Sequence, residues 1–197
     1  MPRIIDHDSK RREIIEITWR FIAQHGYDKL NLRDLAAAAG YANGGLKTYF
    51  ATRDDILVAT FQFVFDSTNR RIEKETQGLE GFAAVRAFAR EVMPLDERRR
   101  DEARVVVHFW HMALQHRTFG ELNARSMDDW RHRLDRWLGQ ELPEGQVRAA
   151  RDGLMNFLMG TQSAAVLDPQ VNTATSLQEQ LDFIVQTLQR LAVERRG

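Results

Sequence analysis

The 197-residue chain is 43% hydrophobic and 28% charged, which is typical of a globular protein and excludes a disordered one. It contains no cysteine, which excludes disulfide bonds and thiolate metal sites. Its net charge is zero, and residues 1–60 hold nine basic and eight acidic residues, so any DNA affinity depends on where charges lie. The first eight residues carry two acids and no apolar core followed by a cleavage site, so we expect no signal peptide. No apolar run approaches the ~20 residues that span a bilayer, and we therefore expect a cytoplasmic protein without a membrane partner.

Apolar residues recur at steps of three and four along the chain, and prolines occur only at positions 2, 94, 143 and 169. This pattern predicts an all-α protein of about nine helices, with no flexible linker between its halves. The fourth helix is therefore expected to run from a first structural unit into a second. We expect helices at roughly residues 9–25, 32–39, 43–50, 53–77, 80–93, 98–117, 119–140, 144–167 and 174–195.

Capping signals mark the helices of the N-terminal region. Gly26 follows a one-faced apolar stripe, where glycine commonly ends a helix. Asn31 and Thr52 each precede a run with an acid at the third helical position, which is the arrangement of a capping box or its variant. These signals predict one helix end at Gly26 and new helices after Asn31 and Thr52.

Residues 31–57 read NLRDLAAAAGYANGGLKTYFATRDDIL: a short capped helix, a turn at Gly40, a second short helix and the start of a third. Two helices joined by a tight glycine-containing turn form a helix-turn-helix. The second helix carries small and polar side chains, which let the backbone approach DNA and supply hydrogen bonds in the major groove. The segment therefore predicts a DNA-binding unit.

This segment resembles the TetR family of transcriptional regulators, most clearly over GGLKTYFATRDDIL at residues 44–57. The resemblance implies a helix-turn-helix domain at residues 1–58 and a larger helical ligand-binding and dimerisation domain at residues 59–197. The C-terminal part is similar to the BetI-type subgroup. That similarity lies at residues 109–110, 127–131, 151–154 and 167–169.

The chain departs from the family pattern in the second helix of the motif. Tyr41 and Ala42 stand where the family has a small hydrophobic residue and a serine, and Gly45 and Lys47 replace its usual Thr and Tyr. Because Ala42 cannot cap a helix, the cap is expected at Asn43. Each of the two adjacent glycines destabilises a helix by roughly 0.5–1 kcal/mol relative to alanine. We therefore expect this helix to be loosely formed in the absence of DNA.

We expect the DNA contacts to come from the helix-turn-helix. Lys47 and Tyr49 would reach phosphates and Thr48 a base edge, and the resemblance implies a further phosphate contact by Arg53. A solvated helix face is the alternative, and the basic triplet at residues 10–12 is either a DNA-contacting arm or a solvated surface. The candidate DNA-binding residues are Asn31, Arg33, Asn43, Gly44, Lys47, Thr48, Tyr49 and Arg53.

The C-terminal region is rich in large aromatic side chains. The resemblance implies a small-molecule pocket among the middle helices, where such rings would pack against an apolar ligand or a cation, choline-like ligands being one possibility. Ordinary core packing is the alternative for each residue. The candidate ligand-binding residues are Phe61, Phe65, Phe88, Phe109, Trp110, Met112, Trp130 and Phe157.

Three further features of the sequence are its histidines near residue 110, a charged run and the last two helices. His108 and His111 share a helix face, with His116 beyond them, but no acidic or cysteine partner stands at a matching step, so we expect no metal site and no cofactor. The charged run at residues 96–102 is interpreted as a solvated helix start. The resemblance implies that the last two helices pair with those of a second copy in a homodimer, whereas closure of the monomer core is the alternative.

These features predict a ligand-responsive DNA-binding regulator, more specifically a repressor that a small-molecule effector releases from a double-stranded operator. The alternative is a helical small-molecule binding protein with a vestigial DNA-binding motif. The sequence shows no nucleophile–base pair, phosphate loop or paired carboxylates at useful spacing, so we do not expect an enzyme.

Overall fold

The computed structural model describes residues 7–42 and 44–194. Over these residues it contains eight α-helices, two short 3-10 turns and no β-strand. The all-α prediction is confirmed. The predicted number of nine helices is wrong by one, because the segment expected as the third helix, residues 43–50, forms a 3-10 turn at Gly45–Thr48.

The eight helices follow one another through short connections. Their bounds are α1 His7–His25, α2 Leu32–Ala38, α3 Arg53–Thr76, α4 Gly81–Val92, α5 Glu97–Gln115, α6 Arg117–Gly139, α7 Glu144–Leu167 and α8 Ala174–Glu194. One 3-10 turn lies at Tyr27–Lys29 between α1 and α2. The other, at Gly45–Thr48, lies between α2 and α3 and is called the recognition segment below.

The backbone at Gly44 explains why the recognition segment is not an α-helix. Gly44 is left-handed, with φ 88° and ψ −10°, so a right-handed helix can begin only after it. The amide of Lys47 donates to the Gly44 carbonyl at 3.0 Å and that of Tyr49 to the Leu46 carbonyl at 2.9 Å, which is the spacing of a 3-10 turn. Asn43, expected to cap this helix and to contact DNA, lies outside the described residues.

The predicted helix caps are confirmed. The Asn31 side chain accepts a hydrogen bond from the Asp34 amide at 2.8 Å. Thr52 and Asp55 form a reciprocal capping box, with side chain-to-amide distances of 3.1 and 2.9 Å. Gly26, at φ 81°, ends α1. Each side-chain cap contributes about 1 kcal/mol, so α2 and α3 have fixed starting points.

Two hydrophobic clusters hold the chain together, and α3 contributes to both. The N-terminal cluster joins α1, α2, the recognition segment and the first half of α3 to Phe109 and Phe119 of α5 and α6. The C-terminal cluster joins Ile72 of α3 to α4, α6, α7 and α8. As expected from the absence of a linker, α3 runs unbroken between them. None of the helices described has the length and apolar character needed to cross a membrane.

Candidate DNA-binding surface and ligand cavity

The recognition segment presents two polar side chains to solvent from a buried base. Leu46 and Phe50 are buried in the N-terminal cluster, whereas Lys47 and Thr48 are exposed and Tyr49 is half-buried. The apolar pair therefore fixes the turn to the domain. Lys47 and Thr48 are left free to meet a partner on its outer side.

Arg11 ties α1 to the end of the recognition segment. Its Nη1 donates a hydrogen bond to the Tyr49 carbonyl at 2.8 Å, and its guanidinium lies 4.3 Å from the centre of the Phe50 ring. This arginine belongs to the basic triplet that the sequence left open between a DNA-contacting arm and a solvated surface. Its contacts give it a structural role that sequence spacing did not indicate, because the two partners lie 38 or more residues away.

Tyr41 and Gly45, two departures from the family pattern, fit each other. A Cβ added to Gly45 would lie 3.3 Å from the Tyr41 Cβ and 3.4 Å from a carbon of its ring, so the Tyr41 side chain leaves little space for a side chain at Gly45. Tyr41 also packs edge-on against Tyr49, with ring centroids 5.8 Å apart. Burial raises the pKa of Tyr41. The two replacements together preserve the packing of the turn.

Arg53 lies against Tyr27 rather than on the open surface. Its guanidinium is 3.9 Å from the centre of the Tyr27 ring, and its Nη2 donates to the Tyr27 carbonyl. The Tyr27 hydroxyl in turn lies 3.3 Å from Asp54, and burial raises the pKa of Tyr27. Arg53 therefore links the first turn of α3 to the connection between α1 and α2.

The remaining DNA-binding candidates differ in whether their side chains are exposed or hydrogen-bonded within the protein. Both polar atoms of the Asn31 side chain are hydrogen-bonded to Asp34, at 2.8 and 2.7 Å, so Asn31 serves as the cap of α2. Arg33, in the first turn of α2, is exposed. Gly44 supplies the left-handed turn before the recognition segment. Among the described candidates other than the cap residue Asn31, the side chains of Arg33, Lys47 and Thr48 are exposed.

A partly open cavity of about 40 Å³ lies between the two hydrophobic clusters. Four of the eight residues predicted to bind a ligand line it, namely Phe61, Phe65, Trp110 and Trp130. Its remaining walls are mostly apolar. They are formed by Val64, Val92, Val106, Met127, Met155, Leu158 and Met159.

The other four candidates lie outside this wall. Phe88 is buried beside Trp130, edge to face at 5.5 Å. Phe109 is buried and stacks on Phe61 with ring centroids 3.7 Å apart. Met112 packs against the N-terminal cluster and Phe157 against the C-terminal cluster. The structure gives these four the packing role that was the alternative in the sequence.

A charged network that the sequence did not reveal forms the polar wall of the cavity. Glu102, 7% exposed, accepts two hydrogen bonds from Arg71, at 2.8 and 3.2 Å. Arg71 also contacts Glu91 at 3.1 Å, and Arg99 contacts Glu91 at 3.4 Å. The interpretation of residues 96–102 as a solvated helix start is wrong for Glu102. This carboxylate is buried because α3 brings an arginine to it from 31 residues away.

The three histidines of α5 and its end point to different neighbours. The His108 ring lies 5.9 Å from that of Tyr27, His111 lies 3.2 Å from the Gln115 amide, and His116 packs against Phe119. Among the residues described, no three His, Cys, Asp or Glu side chains gather in a group that could hold a metal ion. Burial lowers the pKa of His108, against the opposing effect of Asp28.

A helix-turn-helix joined by one continuous helix to an apolar cavity defines a ligand-controlled DNA-binding regulator. Comparison with known proteins specifies the class further. Residues 14–60 match the model of bacterial regulatory proteins of the tetR family, and residues 83–190 match that of the BetI-type transcriptional repressor C-terminal region. The chain belongs to the TetR family, and it is a ligand-responsive DNA-binding transcriptional regulator of the repressor class.

Individual relatives agree with this assignment. The chain is 26% identical to the regulator BetI of Cronobacter sakazakii over 198 residues, an alignment that covers 95% of both chains. It is 37% identical to PksA of Bacillus subtilis over 73 residues, which span 37% of this chain and 36% of PksA. A Saccharomonospora viridis regulator solved in complex with choline has the same fold. The TM-score is 0.83 and the identity 18%, over 91% of this chain and 96% of that one.

Proposed function

We propose that the protein represses transcription by binding an operator as a homodimer, and that a small molecule in the cavity releases it. One observation carries this proposal. The same helix, α3, begins at Arg53, five residues after the end of the recognition segment, and supplies Phe61, Phe65 and Thr68 to the cavity. A ligand that displaces these side chains therefore acts on the element that carries the DNA-binding surface.

Within this proposal the chain divides near residue 58 into a DNA-binding and a ligand-binding part. Lys47 neutralises a phosphate, Thr48 reaches a base edge, and Arg33 adds a second cation from α2. Arg53 and Asn31 act mainly by fixing the geometry of the motif, in accordance with their contacts to Tyr27 and Asp34. A regulator of this type works in the cytoplasm, where its operator lies.

Dimerisation is proposed through α7 and α8. The outer face of α7 carries small exposed residues, including Ala149, Gly153 and Gly160, over which a second helix can pack closely. On α8, Phe183 is 72% exposed, whereas its inward positions pack on the C-terminal cluster. An isologous pair of these faces would hold two recognition segments about 34–36 Å apart, the spacing of successive major grooves.

Release follows from linkage between the two sites. A ligand shifts the equilibrium only if it binds the DNA-free conformer more tightly than the DNA-bound one. The effector must therefore bind the DNA-bound dimer more weakly, by the same factor by which it weakens DNA binding.

Fluorescence anisotropy against the intergenic DNA upstream of the gene, with scrambled DNA as control, tests the proposal. We expect a strong preference for the native DNA and a logarithmic dependence on salt with a slope of roughly −0.9 per neutralised phosphate. Equal binding of native and scrambled DNA at every salt concentration would contradict operator recognition. The alternative, a small-molecule binding protein with a vestigial motif, would then take its place.

A further inference from the structure

We infer that the effector of the cavity is an uncharged apolar molecule rather than a quaternary ammonium ion. The inference rests on the proposed function, because it assigns a chemical class to the ligand of the same cavity. Such an effector differs in charge from choline, which is bound by the structurally similar Saccharomonospora viridis regulator. Three observations support it: the arrangement of the aromatic rings, the charge balance of the polar wall and the flexibility of the remaining lining.

Four of the aromatic rings at and beside the cavity pack on one another. Phe109, Phe61, Phe65 and Trp130 form a continuous stack, with successive centroid distances of 3.7, 6.2 and 5.2 Å. Phe61 and Phe65 each contact two other rings of this stack. A cation is attracted to the negative face of a ring and not to its positive edge. Because the stack uses part of the ring faces of Phe61 and Phe65, these two rings offer a cation less negative surface than free rings would.

The carboxylate in the wall is neutralised from within the protein. Glu102 is held by Arg71 through two hydrogen bonds and by Arg98 at 3.3 Å. The other charged residue of the wall, Arg99, is paired with Asp96 at 2.8 Å and with Glu91 at 3.4 Å. Because every charge at the wall has an opposite partner, a bound cation would lose its hydration without gaining a counter-ion.

The other polar groups near the cavity have internal partners as well. The indole nitrogens of Trp110 and Trp130 donate to Asn123 and Asn69, at 3.0 and 2.8 Å. The amide nitrogen of Gln162 donates to the Val92 carbonyl at 2.6 Å. Because these donors are already hydrogen-bonded within the protein, they are not available to a ligand. Burial of apolar surface therefore supplies most of the binding free energy.

The size of the cavity requires side chains to move on binding. Its volume of about 40 Å³ is close to that of a single water molecule and far below that of a typical ligand site. Met127, Met155 and Met159 line it, and unbranched methionine side chains can adopt new rotamers at little cost. A neutral apolar molecule is therefore accommodated by repacking these methionines, with the charged network left intact.

A matched pair of probes tests the inference: choline, and the neutral alcohol in which carbon replaces its quaternary nitrogen. We expect calorimetry on the full-length protein to show tighter binding of the alcohol, by roughly ten-fold or more. Val106→Phe, which fills the cavity, should abolish binding of the alcohol. Val107→Phe, next to it on α5 but outside the wall, should retain it. Equal or tighter binding of choline would overturn the inference, as would failure of both probes to bind.

Arg71→Met is a second variant that adds no bulk to the cavity. It removes the arginine that donates two hydrogen bonds to the Glu102 carboxylate. The ratio of the two binding affinities should therefore shift toward choline by roughly ten-fold. An unchanged preference would contradict the charge argument. The operator assay separates this inference from the proposed function. If choline releases the DNA, the inference about the ligand fails and the proposed function stands. If the alcohol binds without releasing the DNA, the inference stands and the proposed function fails.

Discussion

Several side chains near the proposed DNA-binding surface make contacts within the protein itself. Arg11 holds the Tyr49 carbonyl and the Phe50 ring, and Arg53 holds the carbonyl and ring of Tyr27. Both arginines are part of basic or capping patterns that, in sequence, indicate contact with phosphate. Long-range cation–π contacts leave no periodic trace in a sequence, so only the folded chain separates them from the exposed Lys47.

Lys47→Ala should weaken binding to operator and non-specific DNA alike, because a phosphate contact carries no base information. The slope of log K against log salt should become less steep by roughly 0.9. Anisotropy across a salt series measures both effects. Lys74→Ala is the matched control, since Lys74 is also exposed but lies near the far end of α3. The same loss in both variants would indicate a bulk charge effect and contradict a role for Lys47.

His108 should make folding stability depend on pH. Burial lowers its pKa below the ordinary value of 6.5, His111 lowers it further and Asp28 opposes both. The unfolded chain therefore takes up a proton first as pH falls, and the folded state loses stability below pH 6.5 until its own pKa is passed.

Urea unfolding of the wild type and of His108→Gln, at pH of about 7 and about 5.5, measures this effect. The variant should lose less stability between the two pH values than the wild type does. His132→Gln, a change at an exposed histidine, should behave as the wild type. An identical loss in the His108 variant would show that another group sets the dependence.

At the scale of elements, the recognition segment is where sequence and structure diverge most. Its apolar spacing and its neighbours indicate a helix over residues 43–50, yet the left-handed Gly44 limits it to four residues in a 3-10 turn. The adjacent elements were predictable because Asn31, Thr52 and Gly26 are local signals. The turn instead depends on how Tyr41 packs over Gly45, which spacing alone does not specify.

Gly45→Ala tests this packing. A glycine-to-alanine change in a helical turn stabilises by roughly 0.5–1 kcal/mol, but in the wild type the added Cβ crowds Tyr41 at 3.3 Å and should cancel this gain. In a Tyr41→Gly background, which removes both the Cβ at 3.3 Å and the ring carbon at 3.4 Å, the gain should return. Urea unfolding of the two single variants and the double variant gives the coupling free energy. The idea fails if Gly45→Ala has the same effect in both backgrounds.

At the scale of the whole molecule, α3 connects two clusters that the sequence suggested only as neighbouring units. Phe109 and Phe119, from helices of the C-terminal part, are buried in the N-terminal cluster, so the two parts share side chains. The Arg71–Glu102 pair joins α3 to α5 beside the cavity. Such contacts between α3 and α5 connect the helix that follows the recognition segment to the wall of the cavity.

Phe183→Glu should convert the proposed homodimer to a monomer, because it replaces a large hydrophobic side chain, 72% exposed on the outer face of α8, with a charge. Size-exclusion chromatography with light scattering measures the mass, and operator affinity should fall together with it. Leu114→Glu is the matched control, since Leu114 is 87% exposed at the end of α5 and away from that face. If the Phe183→Glu protein remained a dimer, the proposed interface would be contradicted.

By itself, the sequence determined the all-helical class, the caps at Asn31 and Thr52, the continuity of α3 and the family of regulators. These depend on periodicity and on signals within a few residues, which are local properties of a chain. The tertiary structure alone decided that Arg53 packs on Tyr27 and that Glu102 is neutralised by Arg71. It also decided which aromatic residues line the cavity. The physical reason is that burial and pairing across 26 or more residues arise from helix packing, which no local pattern encodes.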